Sequence, residues 1–359
     1  MNLPKFKNIS VNQYQPGKSA INNKKKTIKF SANESAIGAS PKATKAYKSY
    51  KNNIFKYPDN KFVKLRKAIS KKNKIKFNQI VCGSGSDEVL QLICQLFLKK
   101  GDEVIIPQYA FAMYAIYSKL NNAKIIIAKE KNFKISVNEI LKKINKKTKI
   151  IFIANPNNPT GTYLDKKEIL YLRKKTRNDI LLVIDDAYFE YMINKNNYSS
   201  GLSLFKNNKS TIVVRTFSKI YGLAGLRVGW AYGPRRIIEA IYKIKPPFNV
   251  NSPAMIAATE AINDTKWLKK SIDHNNLWSK IIYKKLRKLN IELNKPSTNF
   301  FLLRFDNAKK SANYVNNKLK EKGLILRKME TYKIKNSLRF TIGTTFENKQ
   351  FLKIMDKLL

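Results

Sequence analysis

The sequence contains a single histidine, His274, and two cysteines, Cys82 and Cys94, among 359 residues. One histidine excludes a metal site built from several histidines, and we do not expect a Ser-His-Asp triad. The cysteines lie twelve positions apart, which fits neither a disulfide framework nor the ligand spacing of a zinc site. Catalysis is therefore expected to depend on other side chains.

Long apolar runs are also missing. No stretch approaches the roughly 18 residues that a membrane-spanning helix needs. The opening Met1–Lys7 lacks the apolar region of a secretory signal, so a cytoplasmic protein is expected. At 43% hydrophobic residues the chain can bury a large core, and its length predicts two domains.

Acidic residues are scarce, with 24 Asp and Glu against 71 Lys and Arg, giving a formal net charge of +47. Such an excess would ordinarily favour nucleic-acid binding. Here the lysines spread along the whole chain among Asn and Ile, without a helix-turn-helix, finger or RNA-recognition signature. We therefore expect solvated basic surfaces that attract anionic metabolites, and neither a nucleic acid nor a membrane as partner.

Short apolar runs alternate with amphipathic stretches in the middle of the chain, a pattern typical of an α/β fold. The predicted strands are 79–82, 103–106, 124–128, 150–154, 180–185 and 211–215, and the predicted helices include 87–99 and 166–177. After residue 247 the pattern changes to helices at 252–263 and 266–289 and strands near 299–304, 324–327 and 337–341. The predicted division is an N-terminal arm (1–45), a large domain (46–247) and a smaller α+β domain (248–359).

The segment Arg215–Arg227 places Lys219 just after an apolar strand, among groups suited to a phosphate. Thr216 and Ser218 offer hydroxyls, Arg227 offers a guanidinium, and glycines between them let the backbone approach closely. A lysine that forms an imine with a phosphorylated aldehyde would fit this setting. The segment matches every fixed position of S-K-x-x-G-L-A-G-L-R-x-G, and it resembles the pyridoxal-phosphate lysine motif of fold-type I aminotransferases.

That resemblance implies a large domain with a mostly parallel mixed sheet between helices, and pyridoxal 5'-phosphate as cofactor.

Two turns fit the same interpretation. Gly83–Glu88 follows a strand and opens a helix, so Ser86 and Asp87 mark either an anion site or a plain helix cap. Asn155–Gly161 is rich in turn residues and resembles the family's N-P-T-G turn, which implies that Asn158 bonds the cofactor's ring oxygen.

An acid, Asp185, ends the apolar run 180–185, where a carboxylate is costly without a cationic partner. A protonated pyridine nitrogen would be such a partner. The run Asp185–Tyr188 is similar to the family's D-x-A-Y, which implies that Asp185 keeps the ring nitrogen protonated, that Tyr188 lies near the ring oxygen, and that Asp186 supports them. Asp185 lies 34 residues before Lys219 and 27 after Asn158, close to the family's intervals.

Two aromatic residues complete the implied cofactor site. When the segment Gln108–Tyr114 is aligned with the corresponding family loop through Tyr114, the resemblance implies that Phe111 lies over the pyridine ring, with Tyr109 as the alternative. Tyr57-Pro58-Asp59 resembles a Y-P-D motif whose tyrosine reaches the cofactor phosphate of the neighbouring subunit, which implies a homodimer with shared active sites.

Arginine is the side chain expected to bind an anionic substrate. The segment Leu338–Gly343 is similar to the family's L-R-x-T-x-G, which makes Arg339 the first candidate, and Arg327 is the second. Asn33-Glu34-Ser35 resembles the N-E-x-P motif in the N-terminal arm of the family, with Ala36 in place of the proline. This resemblance makes Asn33 a third substrate-binding candidate.

Over nearly its whole length the chain resembles the histidinol-phosphate aminotransferase family, through segments such as 16–19, 38–43, 217–227 and 247–251. The implied reaction converts L-histidinol phosphate and 2-oxoglutarate to imidazole-acetol phosphate and glutamate. The segment Lys328–Lys335 departs from the family's G-G-Y-G-L-P run. An aromatic amino-acid aminotransferase and a phosphothreonine-type decarboxylase therefore stay open as alternatives, and a basic nucleic-acid-binding protein is the alternative from another class.

Overall fold

The computed structural model describes residues 11, 13–20, 27–193 and 195–359, so the opening Met1–Lys7 lies outside the described residues. The strands are β1 (Ile28–Lys29), β2 (Ile80–Gly83), β3 (Glu103–Pro107), β4 (Lys124–Ala128), β5 (Glu130–Lys131), β6 (Lys134–Ile135), β7 (Thr148–Ala154), β8 (Leu181–Asp185), β9 (Thr211–Thr216), β10 (Gly229–Tyr232), β11 (Glu292–Leu293), β12 (Phe300–Arg304), β13 (Leu324–Ile325), β14 (Arg327–Lys328) and β15 (Ser337–Thr341). The α-helices are α1 (Pro41–Ser49), α2 (Val63–Asn73), α3 (Gly85–Phe97), α4 (Ala112–Leu120), α5 (Val137–Leu141), α6 (Lys166–Lys175), α7 (Gly201–Phe205), α8 (Arg235–Ile244), α9 (Ser252–Asn263), α10 (Thr265–Lys288), α11 (Ala312–Glu321) and α12 (Thr345–Leu358).

A seven-stranded sheet in the order β2-β10-β9-β8-β7-β3-β4 forms the centre of the large domain. The pairs from β9 through β4 are parallel, and β10 runs antiparallel to both β2 and β9. All six strands predicted for this region are present within two residues of their predicted ends. The predicted α/β fold with a mostly parallel mixed sheet is confirmed.

Successive side chains of the central strands point to opposite faces of this sheet, and both sets are apolar, so a hydrophobic core lies on each face. In β8, Leu182 and Ile184 pack into one core while Leu181 and Val183 pack into the other. Helices cover both faces, so these strands are apolar throughout and their polar residues collect at the strand ends. This arrangement leaves the carboxyl edge of the sheet as the place for a site.

Two local features differ from the sequence prediction. Strand β10 was not predicted, although it directly follows Arg227 and holds the antiparallel position between β2 and β9. Helix α3 begins at Gly85 instead of Asp87, because Gly85 adopts a φ of +80° and turns the chain straight from β2 into the helix.

The smaller sheet has the order β11-β12-β15-β14 and encloses a third hydrophobic core with α10, α11 and α12. The single strand predicted at 324–327 is two short ones, because this extended segment changes partner: β13 pairs with β1 of the arm and β14 pairs with β15. Phe30, which follows β1, is buried in the same core. The described end of the predicted arm is thereby joined to the small sheet.

Helix α9 matches its predicted bounds and begins at an Asn251 cap followed by a proline in its first turn. It lies beyond the predicted boundary at 247, yet its buried residues Ala254, Ala257 and Ala258 belong to one of the large-sheet cores. The division at 247 stays a prediction. Within the described ranges, no helix is long and apolar enough to cross a membrane.

Candidate active site

The carboxyl ends of β7, β8 and β9 border a cavity of about 150 Å³. It contains ten of the eleven residues predicted to bind or act on the cofactor. The lining residues are Ser86, Asp87, Phe111, Tyr114, Ala154, Asn158, Asp185, Ala187, Tyr188, Thr216, Ser218, Lys219, Ala224 and Arg227. Residues separated by more than a hundred positions therefore converge on one place, as parallel strands ending at a common edge require.

Lys219 supplies the amine of this cavity. Burial is the main cause that lowers the pKa of Lys219 to about 8, and the positive charge of Arg339 is the second. Its Nζ lies 5.8 Å from the centroid of the Tyr188 ring. An amine with this pKa is neutral in a substantial fraction of molecules near neutral pH, which suits it to act as a nucleophile and a base.

Asp185 is a buried carboxylate at the end of β8. It accepts hydrogen bonds from the Tyr114 hydroxyl (2.7 Å to Oδ2) and from the backbone N–H of Ala187 (3.1 Å), and among the described residues it has no cationic partner in an ion pair. Burial raises the pKa of Asp185 to about 6, and the Tyr114 hydrogen bond opposes that rise. A cation bound in the cavity would complete the environment of this carboxylate.

Tyr114 is the functional residue that the sequence reasoning missed. It served there only to align Phe111, yet its hydroxyl contacts Asp185 and its ring stacks on Phe152 with centroids 4.8 Å apart. Its position three residues after Phe111, one turn along α4, was the available signal.

One group of lining residues is suited to a phosphate. The N-terminus of α3 brings Ser86 and Asp87 to the cavity, next to the Ser218 hydroxyl and the Arg227 guanidinium. Arg227 donates to Asp87 Oδ2 at 3.0 Å and to Ser218 Oγ at 3.5 Å. Free N–H groups of a helix start, a hydroxyl and a guanidinium together favour a bound anion.

Close backbone packing at this end depends on glycine. A Cβ on Gly229 would clash with the backbone N of Ser86, and a Cβ on Gly85 would clash with the Arg227 guanidinium. Arg227 itself has a φ of 54°, a strained value for a residue with a side chain. The fold thus brings the turn after β2, the loop before β10 and Arg227 into contact at the expected phosphate position.

Asn158 and Arg339 connect the cavity to the small sheet. Arg339, in β15, donates to Asn158 Oδ1 at 2.6 Å and to the backbone carbonyl of Ser31 at 3.0 Å, whereas its buried Nε finds no hydrogen-bond partner in the described structure. Arg339 is therefore held beside the cofactor cavity with donor capacity left, as a ligand for a substrate anion would be.

Phe111, and not Tyr109, lines the cavity. Tyr109 turns to the neighbouring hairpin and stacks on Phe133, with centroids 5.3 Å apart and rings inclined by 25°. Of the two alternatives for the ring that covers the cofactor, the geometry favours Phe111.

Asn33 lies behind Tyr188. Its Nδ2 donates to the Tyr188 hydroxyl at 2.9 Å, and its Oδ1 accepts from the Thr341 hydroxyl at 3.0 Å. Burial raises the pKa of Tyr188 to about 12. The Asn33 side chain thus joins the arm to both sheets and orients the Tyr188 phenol, while its predicted contact with substrate stays a prediction.

Arg327 lines a second cavity of about 430 Å³, which is next to the first: its residue Ala112 follows Phe111 in the chain, and its Tyr14 ring lies 6.4 Å from the Phe111 ring, centroid to centroid. Tyr14, Thr331 and Tyr332 also line it, and the Arg327 guanidinium donates to the Gln15 carbonyl.

Arg327 stands directly opposite Arg339 in the antiparallel pair of β14 and β15, and both side chains are buried. Two like charges opposed in this way are unfavourable unless an anion lies between or beside them.

Tyr57 is the one predicted cofactor residue outside the cavity. It is 83% exposed and stacks on Phe248 with centroids 4.7 Å apart. Its predicted contact is with a neighbouring subunit, so a single chain leaves that role a prediction.

Asp186 lies behind Asp185 and pairs with the buried Arg215, with Nη2 3.3 Å from Oδ2. Arg215 also donates to Asn73 and stacks over Phe189, 3.5 Å from its centroid. This buried pair holds the ends of β8 and β9 together, as expected of a residue that supports Asp185.

Pyridoxal phosphate fits the residues present. The cavity combines the Asp185 carboxylate, which has no cationic partner among the described residues, the Lys219 amine, and the anion-suited group around Arg227. Among the described residues, no group of three metal-ligating side chains was found.

Comparison with known proteins gives a consistent result. Residues 25–355 match the family model "Aminotransferase class I and II". The chain is 56% identical over 353 residues to histidinol-phosphate aminotransferase of Pelagibacter ubique, with 98% of each chain covered. It is 40% identical to the enzyme of that name from Rhodopseudomonas palustris strain BisB18, with 95% of this chain and 94% of the other covered.

Solved structures show the same fold. The crystal structure of histidinol-phosphate aminotransferase from Sinorhizobium meliloti in complex with pyridoxal-5'-phosphate is similar at a TM-score of 0.84 and 20% identity, with 93% of this chain and 92% of that chain covered. The corresponding structure from Clostridium acetobutylicum also gives a TM-score of 0.84, at 23% identity, covering 92% and 98%. The cavity, the family model and these relatives together establish that the chain belongs to the aminotransferase class I and II family.

Proposed function

We propose that this enzyme transfers the amino group of L-histidinol phosphate to 2-oxoglutarate, giving imidazole-acetol phosphate and glutamate, in the biosynthesis of histidine. The single observation that carries the choice of substrate is the 56% identity to histidinol-phosphate aminotransferase of Pelagibacter ubique over 98% of both chains. The reaction is reversible, and it takes place in the cytoplasm.

Pyridoxal 5'-phosphate, when bound, supplies an aldehyde that condenses with amines and a conjugated ring that accepts the electron pair left by a departing proton. Ser86, Ser218 and Arg227 would hold its phosphate, and Asp185 would accept a hydrogen bond from its ring nitrogen. Phe111 would contact the ring, and Asn158 and Tyr188 would bind its ring oxygen. Each of these residues lines the one cavity.

Lys219 has two tasks in this scheme. Its Nζ would hold the cofactor in the resting enzyme, and as a free amine it would be the base that accepts the α-proton of the substrate and gives it back. Burial lowers the pKa of Lys219 to about 8, so this amine loses its proton more readily than an exposed lysine, which suits both tasks.

The opposed arginines bind the anionic parts of the two substrates. Arg339, beside Asn158, lies nearest the reacting atoms, and Arg327 lies in the adjoining cavity, where a substrate side chain that ends in a phosphate can extend. A chain of net charge +47 also attracts such anions over longer distances.

A homodimer with shared active sites belongs to this proposal. Tyr57 would reach the cofactor phosphate of the other subunit. In support, Ile54, Phe55 and Tyr57 form an apolar segment in which each residue is at least 78% exposed, and a second copy would cover it.

The test is an assay of glutamate formed from 2-oxoglutarate with L-histidinol phosphate, phenylalanine or O-phosphothreonine as donor. We expect histidinol phosphate to be used with the highest kcat/KM, and Lys219→Ala to be inactive. A preference for phenylalanine would indicate an aromatic aminotransferase, and carbon dioxide release without glutamate would indicate a decarboxylase. Either result contradicts the proposed substrate. The exposed Lys243→Ala serves as control, with activity unchanged.

A further inference from the structure

The β5–β6 hairpin packs against the loop that leads from β3 into α4. The Tyr109 N–H donates to Glu130 Oε1 at 3.1 Å, and the Glu130 N–H donates to Gln108 Oε1 at 3.2 Å. The Tyr109 ring stacks on Phe133 at the tip of the same hairpin. Both the backbone and the side chain of Tyr109 are thus held by one hairpin.

Tyr109 is also joined to two groups that line the cofactor cavity. Its carbonyl accepts from Asn157 Nδ2 at 2.9 Å, and Asn157 precedes the cavity residue Asn158. Phe111, which also lines the cavity, lies two residues after Tyr109. A shift of the Tyr109 backbone would therefore be passed to both Phe111 and Asn158.

Glu130 is an unusual acid in so basic a chain. Its Oε2 is buried without a hydrogen-bond partner in the described part of the chain. Burial raises the pKa of Glu130 to about 8, and the hydrogen bond from the Tyr109 N–H opposes that rise. Glutamine has a side-chain oxygen at the same position, so it can replace glutamate as the acceptor of the Tyr109 N–H.

We infer that Glu130 is a positioning residue for the reaction: through the Tyr109 N–H it fixes the loop that sets Phe111 and Asn158 against the cofactor ring. This inference rests on the proposed function, because it takes the cavity to be the cofactor site. Glu130 itself lies outside the cavity lining and touches neither substrate nor cofactor.

The experiment measures pyridoxal phosphate binding and its induced circular dichroism in the full chain without substrate, since that signal reports ring orientation. Glu130→Leu removes the acceptor at similar size, and Glu130→Gln keeps it. Glu239→Leu, on an exposed part of α8, is the matched control. We expect Glu130→Leu to bind pyridoxal phosphate about tenfold more weakly with less than about half of the dichroism, and Glu130→Gln to stay within about twofold of the original.

Equal binding and equal dichroism in Glu130→Leu and the unaltered chain would overturn the inference. So would loss of both in Glu130→Gln, because the acceptor is then still present. If Glu130→Leu does not fold, Glu130→Asp replaces it, since a carboxyl one methylene shorter falls away from the Tyr109 N–H; dichroism unchanged in that variant would contradict the inference. Failure of the proposed function is distinct: a wrong cofactor assignment would leave the unaltered chain without a Lys219-dependent cofactor signal, and a different donor preference would leave the comparison of the Glu130 variants unchanged.

Discussion

The two adjoining cavities of this enzyme are built from different parts of the chain. The cofactor cavity, of about 150 Å³, is bordered by the ends of β7, β8 and β9. The larger cavity, of about 430 Å³, is lined by the arm at Tyr14 and Gln15, one face of α4, and the segment that carries Arg327, Thr331 and Tyr332.

This difference in construction suggests different roles: the cavity at the strand ends carries out the reaction, and the larger cavity selects the amino donor. The strand ends are fixed by a sheet buried on both faces, and the sequence around Lys219 keeps every fixed position of the family motif. The larger cavity includes part of Lys328–Lys335, the segment that departs from the family pattern. The amino-transfer chemistry is therefore determined by the rigid sheet, and donor preference is expected to depend on the arm and this segment.

The largest expected effect tests the rigid cavity. We expect Asp185→Ala to lower kcat by about 10³-fold, because in the proposed arrangement Asp185 is the carboxylate that keeps the ring nitrogen protonated. Steady-state assays with L-histidinol phosphate measure this, with the exposed Asp179→Ala as control. A loss below about tenfold would show that Asp185 has only a structural role.

Arg327→Leu tests the larger cavity. Loss of a charge-assisted hydrogen bond to the substrate phosphate should lower kcat/KM for histidinol phosphate by about 100-fold. The kcat/KM for phenylalanine, which has no phosphate, should fall by less than about fivefold. The measurement is therefore the ratio of kcat/KM for the two donors. An equal loss of kcat/KM with both donors would contradict the assignment of donor preference to the larger cavity. Arg236→Leu, exposed on α8, is the control.

A pH titration of Lys219 should reveal the environment of the cofactor cavity before cofactor binds. With its pKa lowered to about 8, Lys219 is protonated below that pH and neutral above it. Acetylation of Lys219 in the cofactor-free protein should therefore rise about tenfold between pH 7 and pH 9 and then level off. Peptide mass spectrometry follows the reaction, with exposed Lys243 as internal control. A rate that still increases above pH 10 would contradict the burial of this amine.

Tyr114→Phe should have the smallest effect. The variant leaves Asp185 Oδ2 without its hydroxyl donor, a loss of about 1 kcal/mol, and kcat should fall by about fivefold. Tyr117→Phe on the same helix is the matched control. Unchanged kcat and unchanged cofactor affinity in Tyr114→Phe would exclude a contribution of this hydrogen bond.

Much of the cofactor cavity could be predicted because its residues follow local signals. Asp185 and Thr216 end apolar strands, and Ser86 lies where a glycine turn opens a helix. Each signal lies within about ten residues of sequence, and parallel strands bring such ends to one edge of a sheet. Six of the seven strands of the large sheet were predicted from the alternation of apolar runs with amphipathic stretches, and β10 was not.

Other features depend on contacts between distant segments. The Tyr114–Asp185 hydrogen bond joins residues 71 positions apart, and no local pattern marks it. The orientation of Tyr109 away from the cavity depends on Phe133 in a hairpin that the sequence did not reveal. The change of partner between β13 and β14 likewise reflects packing of the arm, which exists only in the folded chain.

The central claim is that one amine, Lys219, carries the cofactor in a chain with 71 lysine and arginine residues. Reduction of the pyridoxal-phosphate-loaded enzyme with borohydride, followed by peptide mass spectrometry, tests it most directly. The account predicts a phosphopyridoxyl group on Lys219 at a stoichiometry of about one per chain. Attachment at another lysine, or spread over many surface lysines with Lys219 unmodified, would contradict it.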